Sequence, residues 1–280
     1  MTYKSILVAA SGETEDAHVL AAAARLAGGS GGRVKVVPAY PLPAADLVYY
    51  GAALHKASSQ FEAHEALKAA ARESQARLET AARDVVRQNG VAVDIEVEGR
   101  ALQPATALAQ DAVLADLVLF GAAAVRDSAA FGGLFAEALL QLGAPIMLVK
   151  QDAELSGPVA LAWDASPQAS RAMRAALPLL KAASGVLILH NDADDKAATA
   201  ASEPERLRAY LALHGIADAA IRNLHGKNVA DSLLDAARAD ACRILIAGAY
   251  GRPRLYELVL GGTTRALVNA AEGPHLMLAH

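Results

Sequence analysis

The chain is poor in the residues that crosslink or stack a fold: its 280 residues hold one cysteine, one tryptophan and only 4% aromatics. A single cysteine excludes an internal disulfide framework. Cys242 lies in "ADACRILIAG", just ahead of an apolar run, and reads as a buried, inert thiol rather than a nucleophile. No stretch reaches the ~18 apolar residues that span a bilayer, and "MTYKSILVAAS" lacks the charged start and long apolar run of a secretory leader, so a cytoplasmic protein is expected. Basic runs are also missing and the net charge is -4. The electrostatic footprint of a nucleic-acid or anionic-membrane binder is therefore absent, which leaves small molecules and proteins as expected partners. The eight histidines form no close ligand pair, and "FEAHEAL" has only His64 where a zinc helix needs two. Neither a Gly-x-Ser-x-Gly elbow nor a lysine following a phosphate-loop glycine run occurs. The cluster "HNDADD" (190–195) lacks the glycine and terminal glutamate of a calcium loop and reads as solvated.

What the chain does have is aliphatic mass: 54% of its residues are hydrophobic. With few rings, that core must come from Ala, Leu and Val, which suits helices packed closely on a parallel sheet. The length favours two domains, and the sequence repeats itself. "ILVAASGET" from Ile6 is echoed by "VALAWDASP" from Val159, and "LVLFGAAA" from Leu117 by "ILIAGAYG" from Ile244. "FGG" at Phe131 answers to "LGG" at Leu260, and "GAPIMLV" from Gly143 to "EGPHLML" from Glu272. Four matches in one order imply a duplication. Ile6 corresponds to Val159 but Pro145 to Pro274, so the first copy carries extra sequence, which falls in the loop-like "PLPAADLVYYGAALHKASSQ" (41–60). The Gly-Pro punctuated "QDAELSGP" supplies a linker, giving domains 1–152 and 157–280.

Strand-like runs are expected at 6–10, 34–39, 91–97, 117–121 and 146–149, and at 159–163, 186–190, 219–224, 244–248 and 276–278, alternating with Ala-rich helical stretches. The longest helix is expected from Glu62 to Asn89, where "NG" stops it. Alternation of strand and helix with doubly apolar strands implies two doubly wound α/β domains, each with a five-stranded parallel sheet and right-handed crossovers. Ligands of such sheets bind beyond the carboxyl ends of the strands, where the strand order reverses.

One stretch at such an end carries chemistry. "GAYGRPRLYELVLGGTT" (248–264) leaves a strand through two glycines and enters a helix through Gly-Gly-Thr-Thr. Glycines let backbone N–H groups face an anion, and a helix start adds a favourable dipole, so the stretch can cradle a phosphate. It can equally be a structural turn with Thr263 or Thr264 capping the helix. Asp164 has two readings as well, as a ligand contact or as part of the start of a helix that Ser166 and Pro167 are better placed to cap.

These residues resemble the universal stress protein family, whose ATP-binding members carry Gly, two residues, Gly, nine residues, Gly, then Ser or Thr. Gly248, Gly251 and Gly261 fit that spacing, while Gly262 stands in the hydroxyl position. The resemblance implies an aspartate at the end of the first strand, matched by Asp164 with Ala165 in "LAWDAS", and a base-reading backbone at the end of the second, matched by His190 and Asn191. It implies ATP, with any magnesium carried by the nucleotide, held by the second half through Asp164, Ala165, Asn191, Gly248, Gly251, Arg252, Gly261, Gly262, Thr263 and Thr264. In the first half Ser11 replaces the aspartate, Ala124 the second glycine, and the span from Gly121 to Gly132 is two residues shorter than that from Gly248 to Gly261. A tandem, Rossmann-like universal stress protein follows, with its halves closed into an internal pseudo-dimer through their last strands and open to further homodimerisation. The resemblance implies a sensor working through a protein partner, not an enzyme. Its alternatives are an adaptor without nucleotide and an enzyme of the related nucleotide-binding superfamily, whose phosphate motifs near the first strand are missing here.

Overall fold

The computed structural model describes residues 3–28, 31–39, 57–89, 94–97, 104–150, 152–191, 204–226, 228–249 and 262–280. Strands form at the apolar runs, buried on both faces where the run is unbroken, as in "LVLFG" and "ILIAG", and partly exposed where polar residues intervene, as in "AAIRNL". In the first half these are β1 (Ser5–Ala10), β2 (Arg33–Pro38), β3 (Asp94–Val97), β4 (Leu117–Gly121) and β5 (Ile146–Val149). In the second they are β6 (Pro158–Ala162), β7 (Gly185–Asn191), β8 (Ala219–Leu224), β9 (Ile244–Gly248) and β10 (His275–Ala279). All ten join one sheet in the order β3-β2-β1-β4-β5-β10-β9-β6-β7-β8. Every neighbouring pair is parallel except β5 and β10, which meet antiparallel at the centre.

That central pair sets the symmetry. Met147 lies opposite Met277 and Leu148 opposite Leu276. By the repeat's own register Met147 corresponds to Leu276 and Leu148 to Met277, so each pair maps onto the other when the halves are exchanged, as a twofold axis through the seam requires. Tyr3 ties the halves further: its hydroxyl donates to the Ala175 carbonyl at 2.8 Å.

Because successive strand residues point to opposite faces, two cores form. On one face Ile6, Val8, Val159 and Leu161 pack with Leu20 of α1 (Asp16–Gly28), Leu78 of α2 (Ala57–Asn89), Met173 of α6 (Pro167–Ala175), Leu180 of α7 (Leu177–Ala182) and Leu211 of α8 (Pro204–Leu213). On the other, Leu7, Leu148, Ala160 and Leu276 pack with Leu108 of α3 (Pro104–Ala112), Val125 of α4 (Ala122–Asp127), Phe135 of α5 (Ala129–Gln141), Leu233 of α9 (Val229–Ala239) and Leu267 of α10 (Gly262–Asn269). Each core contains residues of both halves, so the apolar faces run unbroken across the seam. Three aromatic rings cluster in the first half, where Phe120 meets Phe131 and Phe135 edge-on at centroid distances of 5.5 and 5.7 Å.

The expected strands 117–121, 146–149, 219–224 and 244–248 have the observed bounds, and the others differ at their ends. Residues 91–93 of the third expected strand lie outside the described residues. The long helix corrects the reading at its start: it begins at Ala57 rather than Glu62, so 57–60 are helical instead of loop. Ala and Gln are good helix formers and serine is at home in a first turn, which the absence of apolar residues there had obscured. Cys242 is buried, and that burial, with Asp240 nearby, pushes its thiol up to about 11, consistent with an inert side chain.

Candidate functional site

In each half the chain leaves the first strand in one direction and returns on the other side of it, so the strand order reverses between β1 and β4 and again between β6 and β9. The crevices beyond the carboxyl ends of those pairs are where a doubly wound sheet takes its ligand. The two crevices differ in their lining.

In the second half β6 runs out into Trp163, Asp164 and Ala165. The Asp164 carboxylate accepts the Ser166 N–H at 2.9 Å. This turn holds Ala165 at φ 58, a left-handed conformation that suits glycine rather than alanine. Ser166 then caps α6, its Oγ accepting the Ala169 N–H at 3.1 Å, with Pro167 in the first turn. Capping of α6 thus belongs to Ser166, and Asp164 stays exposed beside it, braced by its own turn.

The start of α6 sits directly on the end of β9. A Cβ on Gly248 would lie 2.5 Å from the Ala169 nitrogen and 2.9 Å from the Gln168 Cβ, so glycine is what permits this approach. Gln168 is thereby held against the strand exit, with its Oε1 buried and without a partner among the described residues. The Trp163 Nε1 is likewise buried and unpaired among them. Beside β6, β7 ends at Asn191, whose Nδ2 donates to the Gly226 carbonyl at 3.4 Å, and the His190 ring Nδ1 meets the Trp163 carbonyl at 3.0 Å. The fold therefore gathers Asp164, Ala165, Asn191 and Gly248 around one crevice.

Residues 250–261, which follow β9, lie outside the described residues, and with them Gly251, Arg252 and Gly261. The described chain resumes at α10. Gly262 opens that helix with nothing among the described residues within 4 Å of a Cβ placed there. Thr263 is exposed and Thr264 is buried. A helix start with one exposed threonine therefore lies at the end of the glycine stretch.

The first half shows a different arrangement. No open glycine loop follows β4: α4 begins at Ala122, and Ser128 caps α5 by accepting the Phe131 N–H at 3.3 Å. The glycines matching Gly261 and Gly262 are Gly132 and Gly133, and both lie inside α5, where a Cβ on Gly132 would come 2.8 Å from the Val125 carbonyl. A carboxylate occupies the strand exit instead. The Glu15 Oε1 accepts the Ala124 N–H at 2.8 Å, and a Cβ on Gly121 would lie 2.5 Å from that same oxygen. Burial raises the Glu15 carboxyl above its usual range, against the lowering pull of the Ala124 and Ala123 amides. Next to it Asp16 is buried and accepts the Ser11 N–H and Oγ–H, each at 2.9 Å, and the Gly12 N–H at 2.8 Å. Burial still pushes its carboxyl up to about 6.

Sequence reasoning on the glycine pattern did not find Glu15 or Gln168. The repeat register was the available signal: Ser11 corresponds to Asp164, Gly12 to Ala165 and Glu15 to Gln168. The structure supports that register, since Gly12 at φ 82 and Ala165 at φ 58 share the same rare conformation.

Two comparisons with known proteins agree with this architecture. The Universal stress protein family matches the chain twice, over residues 2–150 and 157–279. Among solved structures, a universal stress protein from Archaeoglobus fulgidus DSM 4304 superposes with a TM-score of 0.69 at 15% identity, covering 98% of this chain and 95% of that one. A functionally unknown protein from Pseudomonas aeruginosa PAO1 superposes with a TM-score of 0.57 at 17% identity, covering 99% and 92%. At these identities the likeness is one of fold. No curated protein matches the chain.

Proposed function

The chain belongs to the universal stress protein family through both of its halves, and on that premise we propose that it is a stress-response protein that binds an adenine nucleotide, ATP, in its second half. The observation that carries this reading is the contrast between the crevices. One has Gly248 at the strand exit and Gly262 at the start of α10 with nothing among the described residues within 4 Å of a Cβ placed there, and the other has an acidic side chain at the strand exit.

Asp164 and the amide of Ala165 are assigned to the nucleoside, and the backbone at Asn191 to the base. Gly248, Gly251, Gly261 and Gly262 give the phosphates access to main-chain N–H groups, with Arg252 supplying charge and Thr263 or Thr264 a hydroxyl; any magnesium ion enters with the phosphates. The mode is ligand sensing rather than turnover: nucleotide orders the 248–264 stretch and so changes a surface read by a protein partner. Among the described residues no helix is long and apolar enough to cross a membrane, and we assign the protein to the cytoplasm.

Mass spectrometry of nucleotide released from the purified protein, repeated on Gly251→Val, tests the reading. The wild type is expected to carry ATP and to melt higher when ATP is added, with a stabilisation of about 2.7 kcal/mol at a hundredfold excess over Kd. The variant is expected to do neither. Equal retention by the variant refutes the placement of the phosphates. No nucleotide and no ATP-dependent shift in the wild type leave the adaptor reading, which the glycine at 262 in place of a hydroxyl favours.

A further inference from the structure

We propose that the charge at one repeat position, Glu15 in the first half and Gln168 in the second, decides which half admits phosphate. Glu15 serves as a built-in anion that closes the first crevice, and Gln168 leaves the second one open. The inference rests on the nucleotide reading for its second half only.

The two side chains are equivalent by sequence and by place. Each follows the left-handed residue that ends the turn after the first strand, Gly12 or Ala165, by three positions. Each lies against the glycine that ends the fourth strand of its half, Gly121 or Gly248. They differ in charge and in what meets that glycine: the carboxylate of Glu15, but the Cβ and main-chain carbon of Gln168. In the first half the carboxylate takes the Ala124 N–H, at the turn that leaves β4, with the Ala123 amide also bearing on it. Those amides are consequently spent, and an approaching phosphate meets a negative group in the place it would occupy. The other charges acting on that carboxylate are Asp16 from its own segment and Asp127 and Arg126 from α4, so the balance remains acidic. In the second half the neutral Gln168 amide brings no charge to the crevice, and its Oε1 has found no partner among the described residues. A carboxylate there would add a negative charge beside the phosphates, and like charges at short range repel.

The test uses the full chain. Isothermal titration counts ATP sites in the wild type, Gly251→Val, Gln168→Glu and Gln168→Leu, with melting curves confirming that each folds. One site is expected in the wild type, none in Gly251→Val, at least roughly 100-fold weaker binding in Gln168→Glu, and binding within threefold of wild type in Gln168→Leu. Two sites, one site that survives Gly251→Val, or full affinity in a folded Gln168→Glu would overturn the proposal. The first half has its own readout that needs no nucleotide and no Gln168 variant. The Ala124 amide proton in NMR spectra should shift as Glu15 titrates, with a midpoint above the ordinary glutamate value, and should lose that shift in Glu15→Gln. An Ala124 resonance indifferent to both pH and substitution overturns the closure of the first crevice. A wild type that binds no ATP sinks the nucleotide reading and the open half of the inference, while the Ala124 titration still decides the closed half.

Discussion

The His275 ring accepts the backbone N–H of Lys150 through Nδ1 at 3.0 Å, across the seam where β5 and β10 meet. A nitrogen that accepts carries no proton, so the ring's hydrogen is on Nε2, which donates to the Glu154 carbonyl at 3.1 Å. The ring is 4% exposed and both its nitrogens are committed, tying β10 of the second half to the end of the first half and the linker after it. Only neutral imidazole fits, because a proton on Nδ1 would face the Lys150 N–H.

The contribution of His275 to stability should therefore fall as the solution is acidified. Burial, ahead of the opposing Glu154 carbonyl and Asp152 carboxylate, lowers the His275 pKa below its usual 6.5. With the folded value depressed, the unfolded chain binds the proton first, so this contribution is complete above about 6.5 and is lost as pH falls through the folded value. Asp16 works in the opposite sense: raised to about 6 from 3.8, it contributes at low pH and loses that contribution as pH rises through about 6. The difference between wild type and His275→Asn, which keeps an acceptor but does not titrate, isolates the histidine. Melting temperatures from pH 8 to 5 should fall more steeply for the wild type. Parallel curves would contradict the assigned tautomer.

Gly248→Ala should damage packing before it touches binding. The added methyl meets the Ala169 nitrogen, a backbone atom fixed by the Ser166 cap, so α6 must shift. Overpacking of this kind costs about 1 to 3 kcal/mol. Chemical denaturation should show the loss without any ligand present, and an unchanged midpoint would mean that helix and strand are less closely set.

Gly262→Ser is expected to do the reverse. Nothing among the described residues stands within 4 Å of the new Cβ, and the helix start gains a hydroxyl that Gly262 does not offer to the proposed phosphate site. A hydrogen bond to a charged phosphate contributes about 1.5 to 3 kcal/mol, so ATP affinity should rise roughly 10- to 100-fold with little change in the unliganded melting temperature. Titration calorimetry measures it, and an affinity equal to wild type would place the phosphates elsewhere.

Ala165→Gly should stabilise the protein. At φ 58 the alanine is strained by about 1 to 2 kcal/mol, part of which glycine returns to the unfolded chain as entropy. A net gain of about 0.5 to 1 kcal/mol is expected in denaturant unfolding. If ATP binding weakens in the same variant, the strained turn is also what aims the neighbouring Asp164.

How much of this was legible in the sequence depended on distance along the chain. "LVLFG" and "ILIAG" could be read as strands because burial on both faces leaves an unbroken apolar run, and the repeat made the doubling of the fold plain. Helix starts were harder, since Ala57 to Gln60 carry no apolar periodicity. The partners of the candidate site were beyond such reading. Glu15 acts on Gly121 and Ala124, and His275 on Lys150, each more than a hundred residues away. Nothing local to a glutamate announces that its carboxylate will end at the exit of a strand that comes about a hundred residues later in the chain. The glycine stretch could be recognised as a candidate, whereas the side chain that distinguishes its two copies became visible only once the strands were in order.

The antiparallel join of β5 to β10 reaches beyond holding the molecule together. A single-copy chain meeting its twin across such a join would necessarily present two identical crevices. Here each molecule contributes both members of the pair from one continuous polypeptide, so mutations can tell them apart. Asymmetry is thus written into every copy at synthesis and is independent of concentration: whatever fills one crevice reports on a companion that is never its duplicate.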